Sequence, residues 1–178
     1  AQLMEHLGYY FQMHIRLLDF ALHRLKEEDR FTANLFIDYI KQWELLSEVD
    51  LPFIETGIER YFSGDFISAL HVLTPRVEHM LKSALEQAGV SPVAVPNQRQ
   101  IREQTFGSFL HRPDVRASLG EAIWYYLDYA LVNEWGLNIR NDVAHGWVMS
   151  PQCNRFPVQI VLFAILLLTR LNRADGPQ

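Results

Sequence analysis

The chain has 178 residues, a formal charge of −5, a pI near 5.8 and a single cysteine. That length lets one domain, or one domain with an appendage, bury a core without disulfides or metals, and the lone Cys153 excludes an intrachain disulfide and any multi-cysteine metal site. The acidic balance argues against broad electrostatic attraction to nucleic acid but leaves room for a local basic cleft.

Taken in chain order, the apolar residues recur at three- and four-residue steps, and no run alternates strictly between turn residues, so the fold class is all-α. Leu3, Leu7, Tyr10, Phe11, His14, Leu17, Leu18, Ala21, Leu22 and Leu25 predict one long amphipathic helix ending at Lys26-Glu27-Glu28-Asp29. A second helix follows Thr32, with Leu35, Phe36, Tyr39, Ile40, Trp43 and Leu46 on one side. Leu51-Pro52 marks a break, because proline disfavours helix in the residue before it and suits a helix start. We therefore read residues 1–50 as an N-terminal helical extension and 53–173 as an up-down helical bundle.

Phe53 to Phe62 forms the bundle's first helix, Ser63-Gly64-Asp65 the turn, and Asp65 the N-cap of a helix from Phe66 towards Ala88, closed by Gly89. Pro75 interrupts it, yet Phe66, Leu70, Leu73, Val77, Met80, Leu81, Ala84 and Ala88 keep phase, which predicts one kinked helix. Residues 90–100 read as a loop. A short helix near Ile101 to Leu110 follows, then a longer one carrying Leu119, Ile123, Tyr126, Leu127, Ala130 and Leu131 to Gly136. Asn138 is placed to cap the next turn and Gly146 to end it. Phe156-Pro157 opens a last helix running to about Arg173. Its apolar run from Val158 to Leu168 is about half the roughly 20 residues needed to span a bilayer, so it reads as the central element of the bundle.

No basic flank, apolar core and cleavage site open the chain, so we expect a cytoplasmic protein with no membrane segment of its own. The chain starts at Ala1 rather than Met, which leaves a longer parent with further domains as an expectation.

Chemistry concentrates in Asn138-Ile139-Arg140-Asn141-Asp142-Val143-Ala144-His145-Gly146, a polar turn between two very apolar segments. Leaving such groups buried without partners costs on the order of 1–3 kcal/mol each. Arginine offers a fork of donors to phosphate oxygens and histidine moves protons near neutrality, so Arg140, Asn141 and His145 suit phosphodiester cleavage. The plainer alternative has Asn138 capping a helix, Arg140 neutralising Asp142 or Glu134, and His145 capping carbonyls before Gly146. Five helical steps set Arg140 and His145 roughly 140° apart, so one phosphate would need a distorted helix or a second subunit.

The string Arg140-Asn141-Asp142-Val143-Ala144-His145 resembles the arginine-histidine signature of the HEPN superfamily, many of whose members are RNases. Tyr61-Phe62-Ser63-Gly64-Asp65-Phe66, Pro75-Arg76-Val77-Glu78, Thr105-Phe106-Gly107-Ser108-Phe109-Leu110 and Gly136-Leu137-Asn138-Ile139-Arg140-Asn141 look like the branch that includes the ER-membrane-associated RNA degradation protein. The resemblance covers roughly residues 53–173. It implies a HEPN-like bundle of four or five helices that dimerises, bringing two motifs together at the interface. It further implies metal-independent RNA cleavage in which the 2′-hydroxyl attacks the adjacent phosphate, in some members as a toxin or defence effector. Arg140 would stabilise the phosphorane, Asn141 position the substrate, and His145 act as general base or acid. Other members only bind RNA, a nucleotide or a protein partner.

Glu78 is placed either to hold the Arg140 guanidinium or to pair with Lys82 at i+4. Arg76 and His79 read as surface residues. Arg99, Arg102, His111, Arg112 and Arg116 form the basic concentration, read as a solvated face or an RNA track. Trp124, Tyr125, Tyr126 and Tyr129, with Trp135 and Trp147, read as core or interface packing rather than a base-stacking platform. The histidine spacing disfavours a zinc or di-iron site, so no metal or cofactor is expected. Tyr61 to Ala69 also looks like one tetratricopeptide pair, a helical-repeat reading, but no second copy follows at a period near 34 residues.

Overall fold

The computed structural model describes residues 2–28, 30–94 and 102–172, and within them the chain is helical almost throughout. Helix α1 spans Gln2–Glu27, α2 Ala33–Lys41, α3 Leu51–Ser63 and α4 Phe66–Gln87. After a two-residue antiparallel ladder, β1 Val93–Ala94 with β2 Arg102–Glu103, come α5 Phe106–Leu110 and α6 Pro113–Leu127. A π-helical turn over Asp128–Val132, α7 Ile139–His145 and α8 Arg155–Leu168 complete the chain. Asp29, the 95–100 part of the expected loop, Ile101 and Arg173 lie outside the described residues.

The helix boundaries follow local chemistry. Thr32 accepts from the Leu35 N–H to start α2, Asp65 accepts from the Ser68 N–H to start α4, and Asn154 accepts from the Phe156 N–H to start α8. Gly64 and Gly146 take left-handed φ values of 86° and 69° where α3 and α7 stop. Pro75 does not divide α4, which runs unbroken, and the Thr74 hydroxyl beside it donates to the Leu70 carbonyl at 2.7 Å.

The core lies between α4 and α8. Leu70, Leu73, Val77 and Leu81 from α4 meet Val158, Val161, Leu162, Ile165 and Leu168 from α8, all shut off from solvent. Each such side chain stabilises the fold by roughly 1.5–3 kcal/mol over leaving it exposed. Helix α3 packs tightly on α4, because a Cβ at Gly57 would sit 2.4 Å from the Leu73 side chain. The apolar cluster is continuous with residues before 50: Phe11, Ile15, Phe36, Ile40, Trp43 and Leu45 belong to it.

Several expectations change. Helix α1 buries Phe11 and Ile15 but leaves Tyr10, His14, Leu17 and Ala21 exposed, and Leu3 and Leu7 have side chains outside the description. On α2, Leu35 and Tyr39 are exposed while Ile37 is buried, because α2 leans on α3 with a face turned by about one residue. Helix α5 begins at Phe106, not Ile101: residues 102–103 are held extended by the ladder, and Thr105 supplies the cap. The single helix expected to reach Gly136 is broken at Gly120, whose φ of 71° and ψ of 156° lie outside helical space, and it turns π-helical at Asp128. Helix α8 ends at Leu168. Among the described residues no helix is long and apolar enough to cross a membrane.

Candidate functional site

The site is built where the chain doubles back on the π-helical turn. A Cβ at Gly136 would lie 2.2 Å from the Tyr129 carbonyl oxygen, so only glycine fits, and Leu137 N donates to that oxygen at 2.8 Å. Asn138 then adopts left-handed φ 50°, ψ 23°, a conformation asparagine tolerates better than most residues. Its side chain does not cap α7 as expected. It donates to Asp142 Oδ1 at 3.0 Å and accepts from Asn141 Nδ2 at 2.8 Å, which orients both of those side chains. Helix α7 packs on α4 and on the π-helical turn, anchored by buried Ile139.

Arg140 is oriented by α4. Its Nε donates to Glu78 Oε2 at 2.9 Å, its Nη2 lies 2.7 Å from the same oxygen, and its Nη1 donates to Asn141 Oδ1 at 3.2 Å. Glu78 Oε1 accepts from Lys82 Nζ at 2.7 Å, and Lys82 also donates to the Gln104 carbonyl at 2.9 Å. Both roles foreseen for Glu78 therefore occur together, and neither Asp142 nor Glu134 neutralises Arg140. Asn141 Nδ2 additionally reaches the Val132 carbonyl at 3.3 Å. His145 is exposed, lies tilted against Trp147 with ring centroids 5.0 Å apart, and has no hydrogen-bond partner among the described residues.

Arg140 from the first turn of α7 and His145 from its last open on one cleft of about 700 Å³, which is also lined by Asn141, His111, Trp135 and Trp147. The angular separation along the helix thus does not keep the two side chains on different surfaces, because α7 is only seven residues long and both its ends border the same hollow. Trp135 and Trp147 are 79% and 67% exposed, so of the two expected roles, core or interface packing, the core one does not apply to them, whereas Tyr129 is buried and Trp124, Tyr125 and Tyr126 are half-buried.

His111 closes the opposite wall. Its Nε2 lies 2.6 Å from Oδ1 of Asp128, the first residue of the π-helical turn, and Asn133 Nδ2 donates to Asp128 Oδ2 at 2.8 Å. Sequence reasoning saw His111 only as part of a basic run. Nothing in the spacing signals Asp128 as its partner, since the two meet only after the break at Gly120 folds α6 back over α5.

Arg112 and Arg116 are neutralised locally. Arg112 pairs with Asp114 and donates to the Ser91 carbonyl at 2.6 Å, while Arg116 pairs with Glu121 at 2.6 Å and lies over the Trp124 ring. The guanidiniums hold the Asp114 and Glu121 carboxyls below the usual carboxylate range, chiefly by direct hydrogen bonds. Arg99 and the Arg102 side chain lie outside the described residues. Arg76 and His79 are not free surface groups, because both face the fully buried carboxylate of Asp50, His79 Nδ1 at 2.7 Å and Arg76 Nη1 at 3.5 Å. Among the described residues no group of three or more His, Cys, Asp or Glu side chains is placed to hold a metal ion.

Compared with protein-family models, with curated proteins and with solved structures, the chain matches none.

Proposed function

We propose that the chain is a HEPN-type bundle whose α7 cleft cleaves RNA without a metal ion. The observation that carries this reading is that Arg140, Asn141 and His145 open on one cleft flanked by exposed Trp135 and Trp147. Glu78 and Asn141 fix the guanidinium while leaving its remaining N–H groups without a partner among the described residues, so they can meet phosphate oxygens. The tryptophan faces offer stacking to unpaired bases, worth about 1–3 kcal/mol per base. In the step itself the 2′-oxygen bonds to phosphorus and the bond from phosphorus to the 5′-oxygen breaks. The products are a 2′,3′-cyclic phosphate and a free 5′-hydroxyl. Arg140 stabilises the doubly charged phosphorane, and His145 carries a proton to or from it. The resemblance adds a homodimer that brings two such clefts together, which sedimentation of the purified chain measures.

Incubation of the full chain with mixed single-stranded RNA in EDTA tests this directly. Cleavage leaving 2′,3′-cyclic phosphate ends is expected, reduced about 10²- to 10³-fold in Arg140→Ala. Wild-type protein that cuts no faster than Arg140→Ala and His145→Ala sinks the reading. One observation favours a second, binding-only reading: the Arg140 guanidinium is already ion-paired with Glu78. RNA binding without turnover, retained in His145→Ala, selects it.

A further inference from the structure

We infer that His111, held by Asp128, is the general base of this cleft and that His145 is its general acid, so that one chain supplies both proton-transfer groups. The inference rests on the RNA-cleaving reading above and deepens it. Its basis is the geometry of a buried carboxylate behind an exposed imidazole. Asp128 is 4% exposed, whereas the His111 side chain is 54% exposed and lines the same cleft as Arg140 and His145.

A carboxylate only accepts, so His111 Nε2 carries the hydrogen in the 2.6 Å contact and the neutral ring keeps its lone pair on Nδ1. Nδ1 has no partner among the described residues. Asp128 is itself held, since Asn133 donates to its second oxygen through Nδ2 and to its backbone carbonyl through N–H at 2.9 Å. The Trp124 ring flanks the imidazole at 6.1 Å, and Trp124 is tied by its indole N–H to the Leu110 carbonyl at 2.9 Å. Residues on either side of His111 thereby fix the ring, its tautomer and its direction. The π-helical turn gives this arrangement its origin: a single wide turn at Asp128–Val132 lets Asp128 face back towards α5, and such turns are frequent at functional sites.

His145 differs in having no carboxylate behind it and only Trp147 beside it. The division of labour follows. Nδ1 of His111 takes the proton of the 2′-hydroxyl as the 2′-oxygen bonds to phosphorus, and the resulting imidazolium is neutralised by Asp128. The protonated His145 gives its proton to the 5′-oxygen as the bond from phosphorus to that oxygen breaks. Proton exchange with water then restores both rings. The other charged groups at the cleft are Arg140 and Glu134, and Arg116 is the further charge felt by Asp128.

The test compares the full chain and its variants on one single-stranded RNA and on the same RNA carrying sulfur in place of the 5′-bridging oxygen, a leaving group that needs no proton. His111→Ala is expected to lose at least about 10²-fold on both substrates. His145→Ala is expected to lose a similar factor on the oxygen substrate and to recover most of it on the sulfur one. Asp128→Asn, as a positioning change, lowers the rate and displaces the acidic limb of the pH–rate profile, a movement that loss of packing alone does not produce. Thermal unfolding of each variant checks folding, and rates are compared at a temperature where every variant is folded. If wild type cleaves and His111→Ala cleaves equally well, or if His111→Ala is the variant that sulfur rescues, the assignment is overturned while the RNA-cleaving reading stands. If wild type cleaves neither substrate, both fall.

Discussion

Two buried carboxylates in this chain each hold a half-exposed histidine, and the surroundings of the two pairs differ. Asp50, fully buried at the start of α3, receives His79 at 2.7 Å and Arg76 at 3.5 Å, with the Arg76 guanidinium lying 4.4 Å from the Phe53 ring centroid. Asp128 receives His111 at 2.6 Å and the neutral amide of Asn133 at 2.8 Å. Around Asp50 the His79 and Arg76 side chains lie against α3, and their work is to satisfy a charge that burial would otherwise make costly. Around Asp128 the histidine faces a cleft that also holds Arg140 and His145. A carboxylate-histidine contact is therefore structural or functional according to what lies beyond the ring.

The largest effects should separate the pairs by readout. His111→Ala and Arg140→Ala are each expected to slow RNA cleavage by about 10²-fold or more at temperatures where the variant stays folded, and His111→Ala, which strips a partner from buried Asp128, is expected to lose stability as His79→Ala does. Rate and stability are both measured on the same protein preparation. A fall in melting temperature with His111→Ala at an unchanged cleavage rate would make the Asp128 pair structural like the Asp50 pair and erase the distinction.

Gly136→Ala attacks the backbone that joins the pair to the rest of the site. The added methyl would lie 2.2 Å from the Tyr129 carbonyl, so the π-helical turn or the chain leading to Asn138 must move. A loss of about 1–3 kcal/mol of stability, as for other overpacked sites, is expected together with a slower reaction. Urea unfolding and cleavage assays should respond together.

His79→Ala leaves Asp50 with Arg76 alone. Stripping one partner from a buried acceptor should cost about 2 kcal/mol, a fall in Tm on the order of 5 °C, and leave cleavage unchanged. A slower reaction without destabilisation would contradict the structural role given to this pair.

These contrasts also show which parts of the structure were legible in the sequence. Caps and stops were: Thr32, Asp65, Gly64 and Gly146 act through neighbours three or four residues away, and the phase of Leu70, Leu73, Val77 and Leu81 carried α4 through Pro75. So was the possibility that Glu78 reaches Arg140, because both sit beside strongly apolar helix faces. Asp128 was hidden because the apolar stripe of Leu119, Ile123, Leu127 and Leu131 reads as one helix. A break at Gly120 and a π turn alter direction by small changes that periodicity over so few residues does not register. Whether Trp135 and Trp147 belong to the core or to an interface is not legible, because large aromatics serve both, and short loops at either end of α7 set them at the surface.

The smallest expected effect calibrates the two buried pairs against an exposed carboxylate doing a local task. Asp65 caps α4, accepting from Ser68 N at 3.1 Å, and hydrogen bonds from the Ser68 side chain and then its backbone hold its pKa below the ordinary carboxylate value, with Arg60 adding a lesser pull. A carboxyl whose folded pKa is depressed binds its proton more readily when unfolded. Its contribution to stability is therefore full above about pH 4, the unfolded value, and is lost as pH falls through the lower folded value. Asp65→Ala should thus lower the urea midpoint only slightly at neutral pH, less than His79→Ala, and the gap from wild type should close in acid. A gap that persisted unchanged well below pH 4 would show that the cap acts through backbone geometry rather than through its charge, and a cost exceeding that of His79→Ala would remove the reason for treating burial as what makes the Asp50 pair matter.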